Sequence, residues 1–313
     1  MTDLLTPAFA TALLAGAITA GVPLLLAGLG EQMSQKAGVL NIGLEGMMLA
    51  GAYAAFVAAH GAGPWAGFAA GMLAGMAVAA VMAVMSVRFG LNQIVTGIAL
   101  LLGVEGVTAI LHHLKFATTY PRLSPVASWP LPGLAELPVA GPALFDRPAI
   151  VYGAIALVAA MAWIYRRTYF GLALQAAGER PSALDAAGGD VVRTRAAAVL
   201  AAGACAGLGG AFMSVVAAGI FVPFMTNGAG FIAIVLAMLA RGRPLMVLCG
   251  ALLFGACLSA ATALQVAGVD APVDIVQMLP FAAVLLVLAL FGQGGALPAA
   301  LGEAWRRGDP LGK

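Results

Sequence analysis

Charged residues are so sparse in this chain that they act as punctuation between apolar runs. Runs able to cross about 30 Å of hydrocarbon at about 1.5 Å per residue lie near residues 9–29, 38–59, 65–87, 93–114, 148–165, 196–218, 226–240, 244–264 and 275–291. Between Arg195 and Arg241 stand 45 consecutive uncharged residues, too many for one crossing. Pro223, Thr226, Asn227 and Gly228 interrupt them, which predicts two helices joined by a short turn. The first run, Ala8 to Leu29, has no preceding Lys or Arg and no convincing cleavage site after it, so it reads as a first transmembrane helix and not as a signal peptide. The pattern predicts an all-α polytopic transmembrane bundle, a single domain over residues 1–313 with about nine spans, or eight to ten if short segments are re-entrant.

Composition agrees with lipid as the main solvent. The chain is 62% hydrophobic and 9% charged, against about 25% charged in an ordinary soluble domain. Placing the N-terminus outside and the C-terminus inside puts twelve of the fifteen Lys and Arg on the cytoplasmic face and leaves Lys115, Arg122 and Arg147 outside. An outer loop at about 116–147 carries six prolines and is expected to be an extended cap. Cys205, Cys249 and Cys257 fall in apolar spans and are assigned to packing. The spacing of Gly67, Gly71 and Gly75, and of Gly203 and Gly207, predicts closely packed helices.

The inner loop, about 166–195, is the most informative segment. Pro181 suits a first helical turn, Ser182 to Ala187 continue it, and Gly188 stands where a helix ends in a left-handed residue. Gly189 then turns the chain, and Asp190 is placed to cap the next long helix. A two-turn helix held between spans on the cytoplasmic side is an element another protein can grip. An ordinary solvated loop is the alternative.

Four stretches carry a family resemblance: GVLNIGLEGMMLAGA, GLNQIVTGIALLL, GERPSALDAAGGDVVRTR and GAGFIAIVLAMLARGRPLMVLCGALLFG. In order and spacing the chain resembles nucleoside-type permease subunits of bacterial ABC importers, within the superfamily that also moves ribose-like sugars and branched-chain amino acids. The resemblance implies an assembly in the bacterial cytoplasmic membrane. Its parts are a second permease, often a related but different chain, a cytoplasmic ATPase using ATP and Mg, and an extracytoplasmic binding lipoprotein or periplasmic protein. It also implies that Gly178, Glu179, Pro181, Ala183, Asp185, Ala186, Ala187 and Gly188 form the segment that couples to the ATPase. Arg180 and Gly189 depart from the family, where asparagine and isoleucine are common. None of the three lysines is followed by Ser or Thr, so no phosphate-binding GxxxxGK[ST] loop exists, and ATP hydrolysis is expected on a partner. No cofactor, metal or nucleic acid is expected on this chain. His60, His112 and His113 lack metal-ligand spacing, and His112 and His113 read as interfacial.

Two polar residues interrupt the second run. Asn41 and Glu45, at i and i+4, are expected to share one helix face. A carboxylate deep in the bilayer costs at least about 2.5–3.5 kcal/mol, so it faces a bundle, a cavity or a partner. Glu45 either lines the translocation pathway or ties its helix to backbone amides or to Asn92 and Gln93, and Gly43 and Gly46 suggest a tightly packed, broken helix. The candidate pathway set is Asn41, Glu45, Asn92, Gln93 and Glu105. Phe221, Phe224 and Phe231 are able to stack on a base, although packing is the commoner use of Phe in such helices. A proton-coupled secondary transporter using Glu45 or Glu105 is the rival reading, with a channel or scaffold as a third.

Overall fold

The computed structural model describes residues 6–117, 119, 121–266 and 297–306, with 278, 282, 286 and 289. The ninth predicted span, 275–291, lies almost entirely outside the described residues. The helices are α1 (Pro7–Lys36), α2 (Leu44–Ala62), α3 (Pro64–Met82), α4 (Gln93–Phe116), α5 (Ala149–Arg167), α6 (Tyr169–Glu179), α7 (Pro181–Ala186), α8 (Val191–Phe212), α9 (Ala229–Leu239) and α10 (Pro244–Val266). α3 and α8 each continue into a π-helical turn, Ala83–Arg88 and Met213–Ala217. Among the described residues, six helices are long and apolar enough to cross a membrane: α1, α3, α4, α5, α8 and α10. The chain is a multi-pass integral membrane protein with an all-α bundle.

Three predicted boundaries are corrected. α1 does not stop near residue 29 but continues through a polar turn to Lys36. The second span is helical only from Leu44, because Gly38 adopts φ +88° and reverses the chain before the helix starts. The run at 226–240 is helical over only part of its crossing: α9 has 11 residues, about 16 Å of helix, roughly half the hydrocarbon thickness. Its start is set by Phe224, Asn227 and Gly228, all at positive φ, in a connector longer than the expected short turn.

The core is built where helices lose their side chains. α2, α3 and α8 meet at Gly51, Gly71, Gly75 and Gly207; a Cβ on Gly51 would lie 2.5 Å from the Gly207 Cα, and one on Gly75 would lie 2.7 Å from it. Gly207 sits near the middle of the Val191–Ala217 run. α1 packs antiparallel on α10, where a Cβ on Gly21 would meet the Ala251 carbonyl at 2.8 Å. By contrast α4 leaves Val95, Leu102, Ile110 and Leu114 exposed, an apolar face for lipid or another membrane chain.

The outer loop is partly ordered, with Trp129–Pro130 paired antiparallel to Asp146–Arg147. Tyr152 fastens it, its hydroxyl accepting from the Arg147 amide at 3.2 Å and donating to the Trp129 carbonyl at 3.3 Å. The inner loop holds more helix than expected. Thr168 caps α6, accepting from the Gly171 amide at 3.1 Å, and only then does α7 follow.

Candidate functional site

Glu45 stands at the first turn of α2, 3% exposed, and both its oxygens are used. One accepts from the Gly228 amide at 2.9 Å and the other from the Gly230 amide at 2.5 Å. Those amides open α9, so Glu45 caps a half-helix from another part of the chain. A carboxylate suits that place, because the unpaired N–H groups at a helix start carry partial positive charge. Contact is close enough to require glycine: a Cβ on Gly230 would lie 2.6 Å from the Glu45 Cα. One turn further along α2, Met48 presents its carbonyl to Gly210, and Gly51 meets Gly207. Glu45 is therefore held deep in the bundle, within about two turns of the middle of α8.

Asn41 is buried but lies before α2, so the expected shared helix face with Glu45 does not form. Its backbone carbonyl accepts from Leu44 N at 3.1 Å, its side-chain amide donates to Met47 Sδ at 3.3 Å, and its Oδ1 has no hydrogen-bond partner among the described residues. The Asn41 amide donates to Glu31 Oε1 at 3.3 Å, which also accepts from Gln35 Nε2 at 3.0 Å. Glu31, Gln32 and Gln35 form a buried polar group that the sequence reading missed. The run EQMSQ looks like a polar flank after a span, but Glu31 and Gln35 at i and i+4 share one face, the signal that was available.

Gln93 joins this group, its Oε1 accepting from Leu40 N at 2.8 Å. Gly97, one turn on, lets α4 lie against Ile42 and Gly43. Asn92 instead caps α4, accepting from Ile94 N at 2.9 Å and Val95 N at 3.1 Å. The tie from Glu45 thus runs to backbone amides, not to Asn92 or Gln93. Glu105 is half-buried on α4 beside exposed Leu102, Gly103 and Gly106, and no hydrogen bond joins it to Glu45.

An outward cleft of about 680 Å³ lies between α1, the α8–α9 connector and α10. Among the described residues, Thr19, Thr226, Asn227, Thr262 and Gln265 are its polar lining residues, and none of those that line it is charged. Thr226, Asn227 and Ala229 bracket Gly228, so the cleft is bounded by the turn that Glu45 holds. Phe221 is packing: it is fully buried, 5.1 Å from the Tyr53 ring and 5.3 Å from His112 between centroids. Phe224 and Phe231 are exposed and do not line the cleft. His112 is not interfacial. At 3% exposure it packs among Phe116 and Phe221, which the connector brings over α4.

At the end of the bundle where α6 finishes and α8 begins, α7 begins with Pro181 and closes at Gly188, φ +85°, with Gly188 N donating to Asp185 O at 2.9 Å and Gly189 N to Leu184 O at 2.9 Å. A Cβ on Gly189 would meet the flexible end of the Leu184 side chain, which has to shift to admit a larger residue there. No residue of α7 is buried, and Ala183, Ala186, Ala187 and Gly188 are exposed. Glu179 is also exposed and accepts from Gln175 Nε2 at 3.0 Å, whereas Gly178 is buried against Gly38.

The sequence matches the family described as branched-chain amino acid transport system / permease component over residues 13–288. It is 38% identical over 253 residues to TsgC13 of Haloferax volcanii, a protein provisionally named as a glucose ABC transporter permease, covering 79% of this chain and 76% of that one. It is 30% identical over 280 residues to the nucleoside ABC transporter permease protein NupC of Lactococcus lactis subsp. cremoris, covering 86% and 88%. It is 31% identical over 286 residues to the guanosine ABC transporter permease protein NupQ of Bacillus subtilis, again covering 86% and 88%. The Glu45-capped half-helix and the projecting α7 both lie inside the matched region, and the chain belongs to this permease-component family, as a membrane-embedded permease of an ABC transporter.

Proposed function

We propose that this chain is one of two permease subunits of an ATP-driven importer for a nucleoside or a related small polar solute. A separate cytoplasmic ATPase hydrolyses ATP with Mg, and an extracytoplasmic binding protein delivers the solute. The second permease is a related, different chain. The observation that carries the ATP-driven part is α7, a capped helix with no buried residue, presenting small side chains beside the arginine-rich end of the bundle. That surface suits a helix-in-groove contact. A proton-coupled carrier has no use for it, and Glu45, with both oxygens given to backbone amides, is poorly placed as its proton site.

The cleft argues for the solute class. Its described residues offer hydroxyl and amide groups and no charge, which matches a neutral solute carrying hydroxyls better than a zwitterionic amino acid, whose two charges need partners. Relatives named for nucleosides, guanosine and glucose are consistent with that. On this reading Asn41, Glu45 and Gln93 hold the gate beneath the cleft, and Asn92 fixes the start of α4. Glu105, a carboxylate half-exposed on an apolar helix surface, faces the second permease and the pathway between them, since lipid is a costly neighbour for it.

The test is uptake by proteoliposomes containing both permeases, the ATPase and the binding protein. Labelled guanosine or uridine is expected to enter only with ATP, with glucose competing weakly. Uptake without ATP that a protonophore abolishes would overturn the reading. Glucose uptake that nucleosides do not compete with would move the substrate to the sugar.

A further inference from the structure

We propose that Arg195 is a positioning residue that fastens the segment leading into α7 to the turn carrying Asn41 and Glu45, so that movement of the one displaces the other. This deepens, and rests on, the reading of α7 as the ATPase contact. Arg195 lies in the second turn of α8 and is 3% exposed. Its Nη2 donates to the Ala177 carbonyl at 3.0 Å and its Nη1 to the Glu303 carbonyl at 2.7 Å. No carboxylate oxygen lies within ion-pair distance of it among the described residues; the one ion pair found there joins Arg193 and Asp190.

The same guanidinium bears on Gly38, where a Cβ would lie 2.9 Å from Arg195 Nη2 and 3.1 Å from the Gly178 Cα. Reciprocally, a Cβ on Gly178 would lie 3.0 Å from Gly38 N. Two backbone bonds close the knot: Ala300 N donates to Gly178 O at 2.9 Å, and Gly302 N donates to Gly38 O at 3.1 Å. The end of α1, the end of α6 and residues 300–303 therefore meet backbone to backbone, and Arg195 reaches in from the start of α8 as the side chain that spans them. From Gly178 the chain runs directly into α7, and from Gly38 it runs directly to Asn41 and then Glu45.

The chemistry of Arg195 argues against a role in stability alone. Burying a guanidinium whose nearby carboxylate, that of Glu303, stays beyond ion-pair distance carries a large desolvation cost, and an apolar side chain would fill the space more cheaply. What arginine adds is a planar fork that reaches two carbonyls at once. Because glycine meets glycine, no flexible side chain lies between the two segments to absorb a displacement.

The experiment uses the complete reconstituted complex and measures solute moved per ATP hydrolysed, with ATPase copurification and thermal midpoint read alongside. Arg195→Gln and Arg195→Met are expected to keep copurification and midpoint but to lower the transport-to-hydrolysis ratio about tenfold, and Arg195→Lys, which reaches one carbonyl, to recover part of it. Gly178→Ala, which forces Gly38 aside with Arg195 intact, is expected to lower the ratio as well. An unchanged ratio in all of these, or Arg195 variants that fail to assemble, would overturn the proposal. Ala183→Trp separates it from the reading on which it rests: if the ATPase still copurifies with that variant, the α7 contact fails whatever the ratio at Arg195.

Discussion

Asp190 and Glu45 each cap the start of a helix, in opposite surroundings. Asp190 is 49% exposed; its Oδ1 accepts from the Arg193 amide three residues on, at 2.9 Å, and its Oδ2 pairs with Arg193 Nε at 3.0 Å. Glu45 is 3% exposed and accepts from two amides more than 180 residues away in the chain. The exposed cap decides where α8 begins and little else, since water replaces it readily. The buried cap decides where a half-helix sits against α2 and the cleft, and there the buried Gly230 amide has no water to fall back on. The same bond thus sets local structure at the surface and tertiary position inside the bundle.

Glu45→Ala gives the largest expected effect. It orphans the buried Gly230 donor and the half-buried Gly228 donor, and leaving a buried donor unsatisfied costs about 1–3 kcal/mol, so membrane-folded yield should fall sharply and uptake should be lost. Gly207→Ala comes next. It inserts a methyl from α8 into the α3 backbone at Gly71 and Gly75, and overpacking of this kind costs about 1–3 kcal/mol, seen as a lower thermal midpoint of the purified complex. Asp190→Ala should give the smallest effect, about 1 kcal/mol, with uptake nearly unchanged. If Asp190→Ala matched Glu45→Ala, burial would not be what distinguishes the two caps.

The division also explains what was legible in the sequence. Pro181, Gly188 and Asp190 were readable because their partners lie within a few residues, and the bonds from Gly188 N to Asp185 O and from Arg193 N to Asp190 are of that kind. The glycine spacings on α3 and α8 were readable too, because one small-residue face is a repeating pattern, and the two faces do meet. The half-helix was hidden. Its apolar content reads as a full-length helix, and only Pro223 and Thr226 to Gly228 in its connector hint that it begins midway. Glu31 was hidden because a carboxylate beyond an apolar run resembles a flank until α9 and the Gly38 turn enclose it. α6 reads as loop in the sequence, although Thr168 carries the side chain that caps it.

The central claim is that Glu45 belongs to the transport machinery while Asp190 serves only its own helix. The most direct measurement compares ATP-driven uptake by complexes carrying Glu45→Gln or Asp190→Asn, at matched amounts of assembled permease and ATPase. Glutamine keeps one acceptor oxygen but turns an N–H₂ toward the second amide and removes the charge. The account therefore predicts uptake lowered about tenfold or more for Glu45→Gln, the rate equivalent of about 1.4 kcal/mol, and uptake close to the unmodified complex for Asp190→Asn. Equal uptake by the two variants, both at the unmodified level, would contradict it.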